Sequence, residues 1–324
     1  MNISREHLRA EAEATGFRED VLEKVLRLLG LLDGLRAHPF LKDRLALKGG
    51  TALNLFHFDV PRLSVDIDVN YIGEALRDAM LADKPKIEDA VVAVCKRDGF
   101  TVRRMPTEHA GGKLQLRYQS ALGQGGNLEV DLNFMLRVPL WPVSTRDSRP
   151  IGSHRATQTP LLDYHEIAAG KLAALLARQA SRDLFDAHRL LATELDRSQL
   201  RTGFVVYGAM NRRDWREVSV DDLAYEAREL ENELLPLLRV EEVPTPKALK
   251  PWAEKLLTEC RDRLAQVLPL AENEREFLER VLERGEVAPE LITEDAALAE
   301  RIATHPGVLW KALNVRKHKG LAQP

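Results

Sequence analysis

Between Leu45 and Tyr71 the spacing of the apolar residues switches from strand to helix and back to strand. Gly49-Gly50-Thr51 stands at the first switch, and Ser64-Val65-Asp66-Ile67-Asp68 at the second. The short apolar run of residues 45–48 predicts a strand, residues 51–58 predict a helix with Thr51 in the N-cap position, and residues 65–71 alternate as a half-buried strand does. A chain that places two strands and a helix in so few residues must build a sheet with a helix packed on it. All-helical and all-β classes are thereby excluded for this part of the molecule.

The rest of the first half follows the same pattern. Helical spacing is predicted over 19–33, 74–82 and 86–98, and further strands over 100–104, 114–119 and 128–134. From Leu162 onward nearly every segment has helical periodicity, and Val240-Glu241-Glu242-Val243-Pro244-Thr245-Pro246 reads as a turn, because two prolines so close together cannot continue a helix. The expectation is an α+β protein with two domains. Residues 1–158 form a mixed sheet flanked by helices, and residues 159–324 form an all-helical domain. The N-terminus mixes charges of both signs and no run reaches the length of a membrane span, so a cytoplasmic protein without a membrane partner is expected. Cys95 and Cys260 sit in helical patterns and read as reduced, buried thiols. A net charge of -3 excludes a uniformly basic nucleic-acid binder and leaves room for a local basic surface.

Asp66 and Asp68 are two apart on a strand, so their side chains leave the same face and converge. Two carboxylates that close repel unless a cation joins them, and an all-oxygen donor set suits Mg²⁺ or Mn²⁺. Asp131, in Glu129-Val130-Asp131 on a later strand, is a third candidate ligand, as a two-metal site requires. Gly49, Gly50 and Thr51, at a strand-to-helix junction, offer free backbone N–H groups to a phosphate. Ser64 lies on the face of the two aspartates, and Arg62 is a candidate for neutralising phosphate charge. Each element alone is more often structural; their order along the chain is what points to an NTP site.

That order, Gly49-Gly50-Thr51-Ala52-Leu53 followed by Arg62-Leu63-Ser64-Val65-Asp66-Ile67-Asp68, resembles the polymerase-β-type nucleotidyltransferase signature in the form used by AbiEii/AbiGii toxins. A second block, Lys171 to Arg178 and then Arg182-Asp183-Leu184-Phe185-Asp186, is similar to that family's paired helices, and Leu309-Trp310-Lys311-Ala312-Leu313-Asn314 adds a third. The resemblance implies catalytic Asp66 and Asp68, a nucleotide-contacting Lys171 brought to the active site by the helical domain, and an acidic partner at Asp183 or Asp186. It also implies transfer of a nucleotide to the 3′ end of tRNA, a cognate antitoxin encoded nearby, and Ser64 as a point where phosphorylation would compete for the metal.

On physical grounds Lys171 and Arg178 are two helical turns apart and share a face, and Asp183 and Asp186 share another. The group therefore reads either as part of the nucleotide site or as a clamp between helices, with Arg178 and Asp183 candidates for both. The basic runs Arg212-Arg213-Asp214-Trp215-Arg216 and Arg316-Lys317-His318-Lys319 read either as solvated faces or as contacts to an RNA backbone. Two further readings stay open: the same site acting on a small molecule or a protein side chain, and a nucleotide-binding module without chemistry.

Overall fold

The computed structural model describes residues 3–105 and 111–321. Two compact units interleave along the chain. The first comprises Met1–Arg137, Val143–Leu162 and Glu231–Val243, and the second Val138–Pro142, Asp163–Leu230 and Pro244–Pro324. The late segment 231–243 belongs with the first unit for identifiable reasons. Leu63 N–H donates to the Leu237 carbonyl (2.9 Å), Val240 N–H donates to the Gly16 carbonyl (2.8 Å), and the Arg239 guanidinium lies 4.8 Å above the Phe17 ring.

In the first unit the helices α1 (Arg5–Thr15) and α2 (Glu19–Ala37) precede strand β1 (Leu45–Lys48). There follow α3 (Gly49–Ala52), continued by a π-turn over Leu53–His57, then β2 (Asp66–Tyr71), α4 (Arg77–Arg97), β3 (Thr101–Met105), β4 (Gly111–Gln119), β5 (Gly125–Asn133), β6 (Ser144–Arg146) and β7 (Thr159–Leu161). The strands form one mixed sheet in the order β3-β4-β5-β2-β1-β7-β6. β2 runs parallel to β5 and β1 parallel to β7, while the other neighbours are antiparallel. The two helical patterns at 74–82 and 86–98 are one helix: Pro85 lies inside α4 on its exposed side, where water can satisfy the carbonyl that the proline leaves without its helical donor.

Alternation divides the sheet into an apolar and a polar face. Leu47, Ile67, Val69, Leu114, Leu116, Val130 and Leu132 are all buried, and α2 packs against β5, β7 and α4 with Leu22, Val25, Leu26, Leu28 and Leu29 in its buried stripe. Each such side chain contributes about 1.5–3 kcal/mol. One slip of register would carry this apolar set to the other face, so burial on one side specifies what the other side presents. The β4–β5 hairpin is further anchored to α2. Buried Glu23 accepts from Ala121 N–H (3.0 Å), the Ser120 hydroxyl (2.5 Å) and Arg27 (2.9 Å), and Arg27 in turn donates to the Gln119 carbonyl and covers the Tyr118 ring at 4.2 Å.

The second unit is helical: α5 (Tyr164–Arg178), α6 (Ser181–Leu190), α7 (Arg197–Ala209), the single turn α8 (Ala227–Glu229), α9 (Pro246–Arg263), α10 (Glu272–Glu279), α11 (Ala296–Thr304) and α12 (Pro306–Lys319). α5 packs on α6 and α7 through the buried Leu172, Leu175 and Leu176, and the Phe204 and Trp215 ring centroids lie 5.2 Å apart. Glu166 of α5 is wholly buried. It accepts from the Leu140 N–H (2.9 Å) and the Tyr207 hydroxyl (3.1 Å), and burial pushes its carboxyl up to about 7. No helix of the described residues is long and apolar enough to cross a membrane.

Candidate active site

The polar face of the sheet gathers acidic side chains that lie more than sixty positions apart in the chain. β1, β2, β5 and β4 are neighbours, and their register sets Lys48 opposite Asp68, Asp68 opposite Asp131, and Asp131 opposite Lys113. One step along, Asp66 stands opposite Glu129, and Glu129 opposite Gln115. A row of cation, carboxylate, carboxylate, cation thus crosses four strands, with Asp66 beside it. Asp131 is exposed, but partial desolvation by its neighbours first, and then the Asp68 carboxylate, push its carboxyl above the usual range, against the pull of Lys48 and Lys113. The Lys113 ammonium meets Glu129 at 2.6 Å, and that contact holds its pKa above the usual value despite partial burial. Glu129 is therefore neutralised locally, whereas Asp68 and Asp131 repel each other. Three carboxylates on one face are an all-oxygen donor set of the kind that Mg²⁺ or Mn²⁺ takes, so the residues present fit such an ion.

Gly49 closes one side of this row. Its φ is +72°, and a Cβ built on it would lie 2.5 Å from an Asp68 carboxylate oxygen, so both its conformation and the space around it demand glycine. With Gly49 in that conformation the helix begins at Gly49, with Lys48 as N-cap, two residues before the expected start. Thr51 is accordingly not the cap. It is buried, and its hydroxyl approaches the Asp66 carbonyl at 2.5 Å and the Ser64 hydroxyl at 3.0 Å, tying the helix to the start of the acidic strand.

Arg62, the candidate for neutralising phosphate charge, and Ser64, on the face of the two aspartates, are both buried, and the Arg62 guanidinium donates to the Leu63 carbonyl at 2.8 Å. These polar groups brace the loop entering β2. In that loop Val60 has φ +51°, a conformation costing a β-branched residue about 1–2 kcal/mol. Held at both ends, the loop delivers Asp66 and Asp68 to the sheet in one orientation.

The second block forms a charged cluster inside the helical unit. Lys171 on α5 meets Asp183 at 2.8 Å and Asp186 at 2.9 Å, both on α6, and Arg178 at the end of α5 contacts Asp183 at 2.6 Å. Lys171 is 8% exposed, Asp183 1% and Asp186 0%. Burial alone would raise the Asp183 carboxyl, but Lys171 and Arg178 outweigh it and hold it below its usual range. Arg213, Arg216 and Lys319 of the two basic runs are engaged within their unit. Arg213 pairs with Asp222 (2.7 Å), Arg216 with Asp214 and Glu283 (2.5 and 2.8 Å), and Lys319 with Glu283.

A family model described as the nucleotidyl transferase AbiEii toxin of type IV toxin–antitoxin systems matches residues 30–284. The chain belongs to the AbiEii nucleotidyltransferase toxin family. It is accordingly a nucleotidyltransferase, and the toxin of a type IV pair. The fold of this AbiEii-family enzyme is similar to that of MenT4, a nucleotidyltransferase toxin from Mycobacterium tuberculosis. The TM-score is 0.63 and the identity 19%, with 93% of this chain and 99% of the other covered. Among curated proteins none matches the sequence.

Lys48 and Lys113 were not singled out from the sequence. Lys113 had a readable signal, since the apolar alternation of 114–119 extends back to it, but its pairing with Asp131 depends on where the hairpin turns. The tight seat of Gly49 leads to one expectation for the enzyme. Gly49→Ala should cost about 1–2 kcal/mol of stability, from the positive φ. Nucleotidyl transfer should fall further, about 100-fold, because the methyl group displaces the Asp68 carboxylate by a substantial part of an ångström. Urea unfolding and initial transfer rates, measured on the same preparation, separate the two effects.

Proposed function

We propose that the enzyme transfers a nucleoside monophosphate from an NTP to a hydroxyl at the 3′ acceptor end of tRNA, with release of pyrophosphate. In this reading Mg²⁺ or Mn²⁺ is held by Asp66, Asp68 and Asp131. The observation that supports it is the register that stands Asp131 beside Asp68 on the face already carrying Asp66. The bound ion would neutralise the triphosphate and stabilise the charge developing on the transferred phosphoryl group. The chain's own groups do the rest. Gly49 and Gly50 let the backbone approach the phosphates closely. Lys48 and Lys113, at the two ends of the row, add positive charge, and Asp131 accepts a hydrogen bond from the attacking hydroxyl and orients it. For Lys171, Arg178 and Asp183 a nucleotide contact rests on motif position alone. Within their own unit Lys171 pairs with Asp183 and Asp186, and Arg178 pairs with Asp183. A cognate antitoxin encoded nearby is the partner this reading requires.

The deciding experiment incubates the enzyme with each labelled NTP, Mg²⁺ and total tRNA. Label should enter tRNA from one or more NTPs, and both chelation and Asp66→Ala should abolish it. Label that enters a small molecule or a protein while tRNA stays unlabelled would replace the acceptor. Transfer that survives Asp66→Ala would remove the site.

A further inference from the structure

Helix α1 and a tight turn between β6 and β7 bring together three metal-binding side chains that nucleotidyl transfer does not use. His7 and Glu11 are one helical turn apart on α1 and share a face, with His7 Nε2 3.5 Å from Glu11 Oε1. Opposite them, Ile151 and His154 exchange backbone hydrogen bonds of 2.8 and 3.1 Å, which closes a turn over Gly152 and Ser153. Gly152 has φ +57°, and a Cβ there would fall 1.3 Å from a Glu11 carboxylate oxygen, so the turn is pressed directly onto that carboxylate. Ser153 fixes the contact: its N–H donates to both Glu11 oxygens (3.1 and 3.2 Å) and its hydroxyl to Oε1 (2.6 Å).

The Ser153 hydroxyl has one proton and gives it to Glu11, so the 3.1 Å contact to His154 Nδ1 has the imidazole as donor and leaves the lone pair on Nε2. One ligand atom from each of His7, Glu11 and His154 lies within 4.8 Å of the others. Glu11 is buried and His7 exposed, so the carboxylate is preset while the imidazole is free to swing in. The Glu11 carboxyl stays below its usual range although burial opposes this, because Ser153 and the two histidines stabilise the anion.

We propose that His7, Glu11 and His154 bind a transition-metal dication of the zinc class and thereby clasp α1 to the 151–154 turn. Two imidazoles and a carboxylate are a borderline-soft set, matched to Zn²⁺ in a three-ligand site that keeps a fourth position for water, and poorly matched to Mg²⁺. Ser153 serves as the outer-shell partner, orienting both Glu11 and His154. The aspartate row has oxygen donors only, so the two sites divide the dications by type. This inference does not depend on the proposed reaction.

The test is a Zn²⁺ titration of the full untagged chain, against a competing chromophoric chelator and in excess Mg²⁺. One equivalent of Zn²⁺ should bind. His7→Ala and His154→Ala should each weaken it roughly 100-fold or more, whereas Asp68→Asn should leave it unchanged. Zn²⁺ should also raise the thermal midpoint of the parent chain and not that of the histidine variants. His7 is exposed, so its replacement spares the fold, and circular dichroism verifies this. Absence of Zn²⁺ binding in excess Mg²⁺, or binding that survives both histidine substitutions, overturns the proposal.

Discussion

Asp68→Asn should reduce nucleotidyl transfer about 1,000-fold or more, a loss of about 4 kcal/mol of transition-state stabilisation, while leaving the fold intact. The substitution is nearly isosteric and the side chain is half-buried, so packing on the apolar face is untouched. What disappears is the charge at the centre of the row, between Lys48 and Asp131. An amide oxygen binds a dication far more weakly than a carboxylate, and Lys48 then faces no anion at its own position. Losing Asp68 also removes the charge that helps hold the Asp131 carboxyl above its usual range, so Asp131 should titrate lower in the variant. Glu129→Gln is the internal comparison. Because Lys113 already compensates Glu129, its replacement should cost only about 10-fold or less. Single-turnover label transfer over a Mg²⁺ titration checks both variants. If Asp68→Asn transfers within tenfold of the parent at every Mg²⁺ concentration, the seat of the ion lies elsewhere.

The largest effect on stability should come from Lys171→Met, about 3–5 kcal/mol. Methionine fills the volume of the lysine stem, so little of this reflects a cavity. The cost arises because Asp183 and Asp186, almost completely buried, lose the ammonium 2.8 and 2.9 Å away. Arg178 still reaches Asp183 at 2.6 Å, so part of the compensation at that carboxylate remains. All four tryptophans, at 141, 215, 252 and 310, lie in the helical unit, so tryptophan fluorescence follows the unfolding of that unit specifically. The double variant Lys171→Met, Asp186→Leu should recover a substantial part of the loss, since the buried anion goes with its partner. A change under about 1 kcal/mol for Lys171→Met would show that the cluster is solvated in solution and contributes like a surface pair.

Much of the architecture could be read from local pattern. The strands of the sheet's centre were legible because alternation is a property of neighbouring residues. The helical character after Leu162 was legible for the same reason at a different period. Thr51 was misjudged because the helix starts two residues earlier, where Gly49 takes a positive φ that the local pattern does not reveal. Inside the helix rather than at its cap, Thr51 donates its hydroxyl to the Asp66 carbonyl fifteen positions later. The burial of Arg62 was equally out of reach, since nothing in the adjacent residues shows that its guanidinium lies against the Leu63 carbonyl.

The amino-acid sequence by itself determined that Asp66 and Asp68 leave one face together, since residues two apart on a strand must do so whatever surrounds them. It likewise determined that Lys171 and Arg178 share a side of their helix. Only the tertiary structure decided that Asp131 is the carboxylate standing next to Asp68, that Lys48 and Lys113 bracket the pair, and that Lys171 is matched by two buried aspartates. The physical reason is range: backbone geometry fixes side-chain direction over two to four residues, whereas strand register and helix docking are set by burial of apolar groups far apart in the chain.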